Sequence, residues 1–293
     1  MHVFYDERQV VDQPGHASPS SGKPREVLAD WHATGLPVII DPITPVTLND
    51  FYRAHDKQYV DDILECRINN GFDNTSKEVA ASLPYTTGSM LSAACWLLAN
   101  KKQVAVSPTS GFHHAEYAKA QGFCTFNGLM ITALSLKHEN LVDTVGILDL
   151  DHHWGNGTDD IIDRLNIDWI KHYTIGEHRL PFKQLINGKT IAEYWMEKLP
   201  EICAQYEGCD ILIYQAGADL WEKDPYAWGG GLSVAQLKER DRIVFTAMRD
   251  MGIPVVWNLA GGYVRDAAGS IRPVLDIHKN TAEVCCEIYG LKL

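Results

Sequence analysis

The sequence predicts an α/β protein, a three-layer sandwich with a mainly parallel central sheet, on two observations. Short, β-branched, almost continuous apolar runs alternate with longer amphipathic segments, which is the rhythm of parallel strands covered by helices on both faces. The polar residues that could do chemistry fall just past the ends of those runs, where open parallel sheets hold ligands. A periodic layout of this kind often runs to 293 residues as one unit, so a single domain over 1–293 is expected.

The predicted strands follow in order. HVFY lies near the start, QVAVS at 103–107, TVGILDL at 144–150, DILIYQAG at 210–217 and PVVWNLAGG at 254–262. Helical periodicity occupies GSMLSAACWLLAN, CTFNGLMITALSLKHEN, TIAEYWMEKLPEICAQYEG and SVAQLKERDRIVFTAMRDMG between them. Asp12 to Lys23 is rich in Pro, Gly and Ser and predicts a loop; Asn69 to Pro84 predicts another. The strand and helix rhythm resumes directly after each, so neither reads as a domain linker.

Composition excludes several classes. Lys plus Arg is 26 against 38 Asp plus Glu, a net charge of −12 spread along the chain, which argues against a direct nucleic-acid grip and leaves a cationic substrate open. No run of eighteen apolar residues occurs, and the N-terminal residues MHVFYDERQVV lack a signal-peptide pattern, so no membrane partner is expected. The seven cysteines are odd in number and form no CxxC, which fits a reducing, cytoplasmic setting.

The stretch GILDLDHHWGNGT, Gly146 to Thr158, carries the densest chemistry. As a strand leaving the core, it turns Asp149, Asp151 and His153 to one face and Leu150, His152 and Trp154 to the other. Asp151 and His153 could then share one metal ion, with Asp149 beneath as an orienting group. Taken alone, the stretch divides evenly between that reading and helix-capping acids beside core histidines. QAGAD shifts the balance, because Asp219 just past an apolar strand is a costly place for an unpaired carboxylate and a natural one for a third ligand. Two Asp and one His leave positions open on a zinc-like ion, the arrangement of a catalytic site.

GFHHAE places His113 and His114 after the QVAVS strand, where histidines can act as general base and acid near neutral pH, although the motif taken alone reads more readily as surface histidines flanking a loop. NLAGGY ends another strand with two glycines and Tyr263, whose phenol could donate to a developing oxyanion, although a lone Tyr here reads better as a buried aromatic plug.

Taken in order, FYDE, PREVL, HDKQYV, GFHHAE, GFCTFN, DLDHHWGNGT, QAGADLWEKDP and AGGY resemble the histone deacetylase family, including its bacterial members and the acetylpolyamine amidohydrolases. The resemblance implies the arginase–deacetylase type of α/β sandwich and a zinc-dependent amidohydrolase, with iron as the alternative metal. By position it implies Asp151, His153 and Asp219 as metal ligands, His114 as main general base and His113 as electrostatic partner or leaving-group acid. It further implies Asp149 and Asn156 as orienters of His113 and His114, Tyr263 as oxyanion donor, and Phe123, preceded by Gly122, as one wall of an acyl-lysine tunnel. A structural potassium near Asp149, Asp151 and His153 is also implied.

The chain departs from the family pattern at three places. Trp154 stands where a second histidine often follows the metal ligand, and IGEHRLPFKQLINGK replaces a PGTG-like segment, leaving Phe182 as the candidate for the second tunnel wall. YAWGGGLS after Pro225 brings Tyr226 and Trp228 to the entrance as an aromatic rim. An acidic gate for a polyamine is not evident, although Glu222 is near in sequence. The expected partner is therefore an acylated lysine in a peptide or protein, the alternative a small acylated amine such as an acetylpolyamine. A weakly catalytic acyl-lysine binder would not need both histidines, Tyr263 and three ligands.

Overall fold

The structure, a computed structural model, describes residues 1–13 and 17–292. The strands are β1 (His2–Phe4), β2 (Ile39–Asp41), β3 (Val104–Val106), β4 (Val145–Asp149), β5 (Ile170–Thr174), β6 (Leu185–Ile186), β7 (Lys189–Thr190), β8 (Ile211–Gln215) and β9 (Val255–Asn258). Seven of them form one sheet in the order β2-β1-β3-β9-β8-β4-β5, and every pairing in it is parallel. The β6 and β7 pair is a separate antiparallel hairpin.

The helices are α1 (Lys23–Ala33), α2 (Leu48–Ala54), α3 (Lys57–Leu64), α4 (Lys77–Ala99), α5 (Gly128–His138), α6 (Asn156–Arg164), α7 (Ile191–Ala204), α8 (Val234–Met251) and α9 (Arg272–Ile288). They cover both faces of the sheet, as strand alternation requires. Val145 and Ile147 of β4, Ile211 and Ile213 of β8 and Val256 of β9 pack into one apolar cluster with α2 to α6. Leu148, Leu212, Tyr214, Val255 and Trp257 point the other way into a second cluster with α1, α7, α8 and α9. A strand buried on both faces has no polar alternation, and that is why these runs read as continuously apolar.

The sandwich is thus α/β with three layers, as the sequence predicts. The short edge strands β2 and β5 escaped the sequence reading because they are half exposed and carry mixed residues, IID and IKHYT. The predicted loop over Asn69 to Pro84 is a correction. Ser76 caps α4 by accepting from the Val79 N–H, and the helix runs from Lys77 straight through Pro84. Val79, Leu83 and Met90 are buried on its inner side, so tertiary burial outweighs the local cost of an interior proline. Of the predicted loop at Asp12 to Lys23, Pro14, Gly15 and His16 lie outside the described residues, and Lys23 already begins α1.

Two adjacent strand ends are tied together by one buried cation. The Arg240 guanidinium on α8 donates to the carbonyl of Gly217 at 2.7 Å and of Leu150 at 3.3 Å, just past β8 and β4. Its charge is met by Asp241, which also accepts from Tyr214 Oη and Thr281 Oγ1. A fully buried ion is held this way only when charge partner and hydrogen bonds are both in place. Among the described residues no helix is long and apolar enough to cross a membrane.

Candidate active site

The loops after β3, β4, β8 and β9 converge at one end of the sheet. The alternation expected for Asp149, Asp151 and His153 persists beyond the end of β4: these three turn to the site, while Leu150 joins the core and His152 turns away toward the Trp228 carbonyl, 3.1 Å from its Nε2.

Asp151, His153 and Asp219 each offer a ligand atom, and the three atoms lie within 4.8 Å of one another. His153 Nδ1 stands 3.0 Å from both Asp151 Oδ1 and Asp219 Oδ2. The carboxylates are held from behind by backbone donors: the N–H of Gly261 to Asp151 Oδ2 at 2.8 Å, and that of His152 to Asp219 Oδ1 at 3.2 Å. Gly261 has to be glycine, since a Cβ there would collide with the Asp219 carboxylate. One imidazole nitrogen and two carboxylate oxygens, buried and preset, are a donor set that suits a zinc-like divalent ion.

Burial and the neighbouring charge of Asp151 raise the Asp219 carboxyl. Burial works against a charged His153, but its bonds to Asp151 and Asp219 overcome this and lift it to about 11. Two adjacent buried carboxylates call for a cation between them.

Beside this trio the rings of His113 and His114 lie 4.1 Å apart, and each is fixed at Nδ1 by a different partner. His113 meets Asp149 Oδ2 at 2.6 Å; His114 meets Asn156 Oδ1 at 2.8 Å. Burial opposes a charge on His113, yet Asp149 and Asp151 together push it up to about 9. Burial and the charge of His113 press His114 down to about 3. The same residue type is thus held charged in one place and neutral in the other, by surroundings alone.

Tyr263 closes the opposite side. Its ring is 5.8 Å from Phe123, 6.5 Å from His153 and 4.9 Å, edge on, from Tyr226. Asp224 fixes both tyrosines by accepting from the Tyr226 N–H at 3.0 Å and the Tyr263 N–H at 2.8 Å. Gly122 lies against the His114 ring in a left-handed conformation, just before Phe123. Phe112, Phe123 and Ala260 are non-glycine residues with φ of 85°, 64° and 49°, and all three border the site, where backbone strain is commonly stored.

The structure therefore brings His113, His114, Asp149, Asp151, His153, Asn156, Asp219, Phe123, Gly122 and Tyr263 together. Trp228 sits at the outer edge, its ring 4.8 Å from that of His152, and Tyr226 lies between Tyr263 and His153. Phe182 is a correction. It is 2% exposed and packs among core residues against Trp195, so it walls no tunnel. Glu222 is exposed, with its N–H bound to the Leu232 carbonyl.

Sequence reasoning missed several supports. Glu116 accepts from Asn156 Nδ2 at 3.1 Å, and Gln215 Nε2 donates to Asp149 Oδ1 at 3.2 Å. The buried Lys23 ammonium donates to the carbonyls of Ala260 at 2.6 Å and Gly261 at 3.2 Å, steadying the turn that carries Gly261 and Tyr263. Glu116 stands inside the GFHHAE motif and Gln215 at a strand end, so both were open to suspicion. Lys23 carries no local signal, as its partners lie 237 and 238 residues away.

Residues 25–166 match the model of the histone deacetylase domain, a span that includes His113, His114, Asp149, Asp151, His153 and Asn156. Histone deacetylase 2 of Arabidopsis thaliana is 27% identical over 185 residues, 58% of this chain and 47% of that protein. Acetylpolyamine amidohydrolase 1 of Pseudomonas aeruginosa is 26% identical over 179 residues, 54% of this chain and 50% of that protein. The chain thus spans about half the length of these curated relatives. The crystal structure of the HDA15 HD domain superposes with a TM-score of 0.74 at 18% identity, covering 99% of this chain and 88% of that one, which places the fold as the arginase–deacetylase type. The domain match, the relatives and this superposition agree in supporting a histone deacetylase-like family for this chain.

Proposed function

We propose that this chain is a single catalytic domain over its 293 residues and a metal-dependent amidohydrolase that removes acetyl or other acyl groups from acylated lysine side chains. The observation that carries the reading is the pair His113 and His114, separately anchored at Nδ1 by Asp149 and Asn156, beside the trio Asp151, His153 and Asp219.

Asp151, His153 and Asp219 would hold the ion, zinc in the first instance and iron as the alternative. Bound there, it supplies Lewis-acid polarisation of an amide carbonyl and a water acidified toward neutral pH. Asn156 Oδ1 can only accept, so His114 carries its proton on Nδ1 and keeps the Nε2 lone pair free to take a proton as general base. The orientation of Asn156 is fixed in turn, because its Nδ2 donates to Glu116. His113, held charged by Asp149, supports the developing negative charge and can protonate the departing amine. Tyr263 donates a hydrogen bond through its phenolic O–H to the carbonyl oxygen as that oxygen gains charge. Phe123 and Gly122 flank the acyl-lysine stem, with Tyr226 and Trp228 at the rim. A potassium ion bound through backbone oxygens near Asp149, Asp151 and His153 belongs to the same proposal. So does a cytoplasmic setting, supported by seven free cysteines.

The second reading is hydrolysis of a small acylated amine such as an acetylpolyamine, which the likeness to a protein named acetylpolyamine amidohydrolase supports. One panel separates them: zinc-loaded protein is offered acetyl-lysine peptides, longer acyl-lysine peptides and acetylated polyamines, and products are followed by mass spectrometry with His114→Ala as the blank. Turnover confined to the peptides supports the first reading, and turnover confined to polyamines the second. No turnover on any class, with zinc bound, rejects both.

A further inference from the structure

We infer that Arg179 is a specificity residue that binds a carboxylate on the substrate, so the acylated amine this site takes is one that carries a free carboxylate. The inference rests on the amidohydrolase reading of the site and narrows its substrate class.

The chain has opened a cleft where a second aromatic wall was expected. Past β5 the backbone turns through Gly176, which lies against the backbone of His153 and Trp154 so closely that a Cβ could not fit. Arg179 follows in the left-handed conformation, φ 44° and ψ 47°, and Phe182 then drops into the core. The result is a cavity of about 460 Å³ reaching from His153 and His114 out to Trp154, Trp228 and Arg179.

Both indoles are pinned before any ligand arrives. Trp154 Nε1 donates to Asp159 Oδ2 at 2.6 Å, and His152 holds Trp228 by ring contact and through its carbonyl. They stay 42% and 40% exposed, flat apolar walls suited to an aliphatic stem. No carboxylate lines the cavity, and among the described residues Arg179 makes no ion pair. Exposed and lining the cavity that reaches His114 and His153, its guanidinium is open to an anion from outside the protein. Its planar fork matches a carboxylate bidentately. A polyamine would instead meet a like charge.

The test measures binding as well as turnover on zinc-loaded protein. Three probes are titrated calorimetrically: free Nε-acetyl-lysine, a tripeptide ending in Nε-acetyl-lysine with a free C-terminus, and the same tripeptide as its C-terminal amide. Wild type should bind a free-carboxylate probe more tightly than the amide by about ten- to a hundredfold, the range of one charge-assisted contact. Whichever acid binds more tightly identifies the source, a free amino acid or a chain terminus. Arg179→Asn tolerates the same backbone conformation and should erase the preference, whereas Arg179→Lys should keep part of it. Equal binding of acid and amide, a preference that survives in Arg179→Asn, or no binding of any probe overturns the assignment. Hydrolysis is followed in parallel. Equal turnover of acid and amide rejects Arg179 while leaving the amidohydrolase standing; preferential binding without turnover does the reverse.

Discussion

His114 Nδ1 lies 2.8 Å from Asn156 Oδ1, so a neutral amide rather than a carboxylate orients the histidine proposed as general base. The hydrogen bond needs only an acceptor, and that sets a test. Asn156→Ala should lower kcat about 10- to 100-fold with KM little changed, the usual cost of losing a group that orients a catalytic side chain. Asn156→Asp keeps an acceptor in place and should retain most of the activity. Steady-state kinetics of the two variants decides it: equal losses in both would mean that Asn156 acts through folding rather than through His114.

Tyr263→Phe removes one phenolic oxygen and leaves the ring packing against Phe123 and Tyr226 intact. Loss of a single oxyanion donor costs on the order of 100- to 1000-fold in rate. The expected outcome is a fall of that size in kcat with metal content unchanged. A variant as fast as wild type would take Tyr263 out of the chemistry.

Metal should stabilise the fold. Asp151 and Asp219 are buried side by side, and a divalent ion bound to the native state alone raises stability by mass action. In differential scanning fluorimetry the Tm should climb with zinc concentration, and a chelator should reverse the rise. Asp219→Asn, which keeps shape and removes charge, should abolish the dependence. A zinc-independent Tm in wild type would argue against a divalent site at this trio.

Acid should destabilise the protein through His55, which is not one of the three candidate ligands. Its Nε2 accepts from the Asn127 N–H at 2.9 Å, and its Nδ1 faces the carbonyls of Glu116 and Tyr117. Burial depresses it to about 4, against roughly 6.5 in an unfolded chain. The folded state thus prefers neutral His55, so the stability it contributes is fully present above about pH 6.5 and is lost as pH falls toward 4. The loss is on the order of 3 kcal/mol at most. Urea unfolding at pH 7 and pH 4.5 should show a smaller pH effect in His55→Gln than in wild type; an equal effect would assign the acid sensitivity elsewhere.

Much of the site was legible because strand alternation is a rule of backbone geometry. Asp149, Asp151 and His153 share a face whatever surrounds them, and Asp219 and Tyr263 declare themselves by following apolar strands. The buried strands β4, β8 and β9 were equally plain, since burial on both faces leaves an unbroken apolar run. Fold class and the candidate ligand trio follow from that local code, whereas the histidine pair took its weight from the ordered set of motifs.

The rest was decided by partners distant in sequence. Pro84 reads as a helix breaker, and only the packing of Val79, Leu83 and Met90 keeps α4 continuous through it. Phe182 reads as a wall and is drawn into the core by Trp195. Lys23 and Arg240 carry no motif, yet they hold the carbonyls of the loops that present Asp151, Asp219 and Tyr263. The protonation of His113 and His114 is likewise absent from HH as letters. It comes from burial of both rings, offset at His113 by the Asp149 and Asp151 carboxylates and reinforced at His114 by the charge of His113, because a buried charge is stable only where the tertiary structure supplies its counterpart.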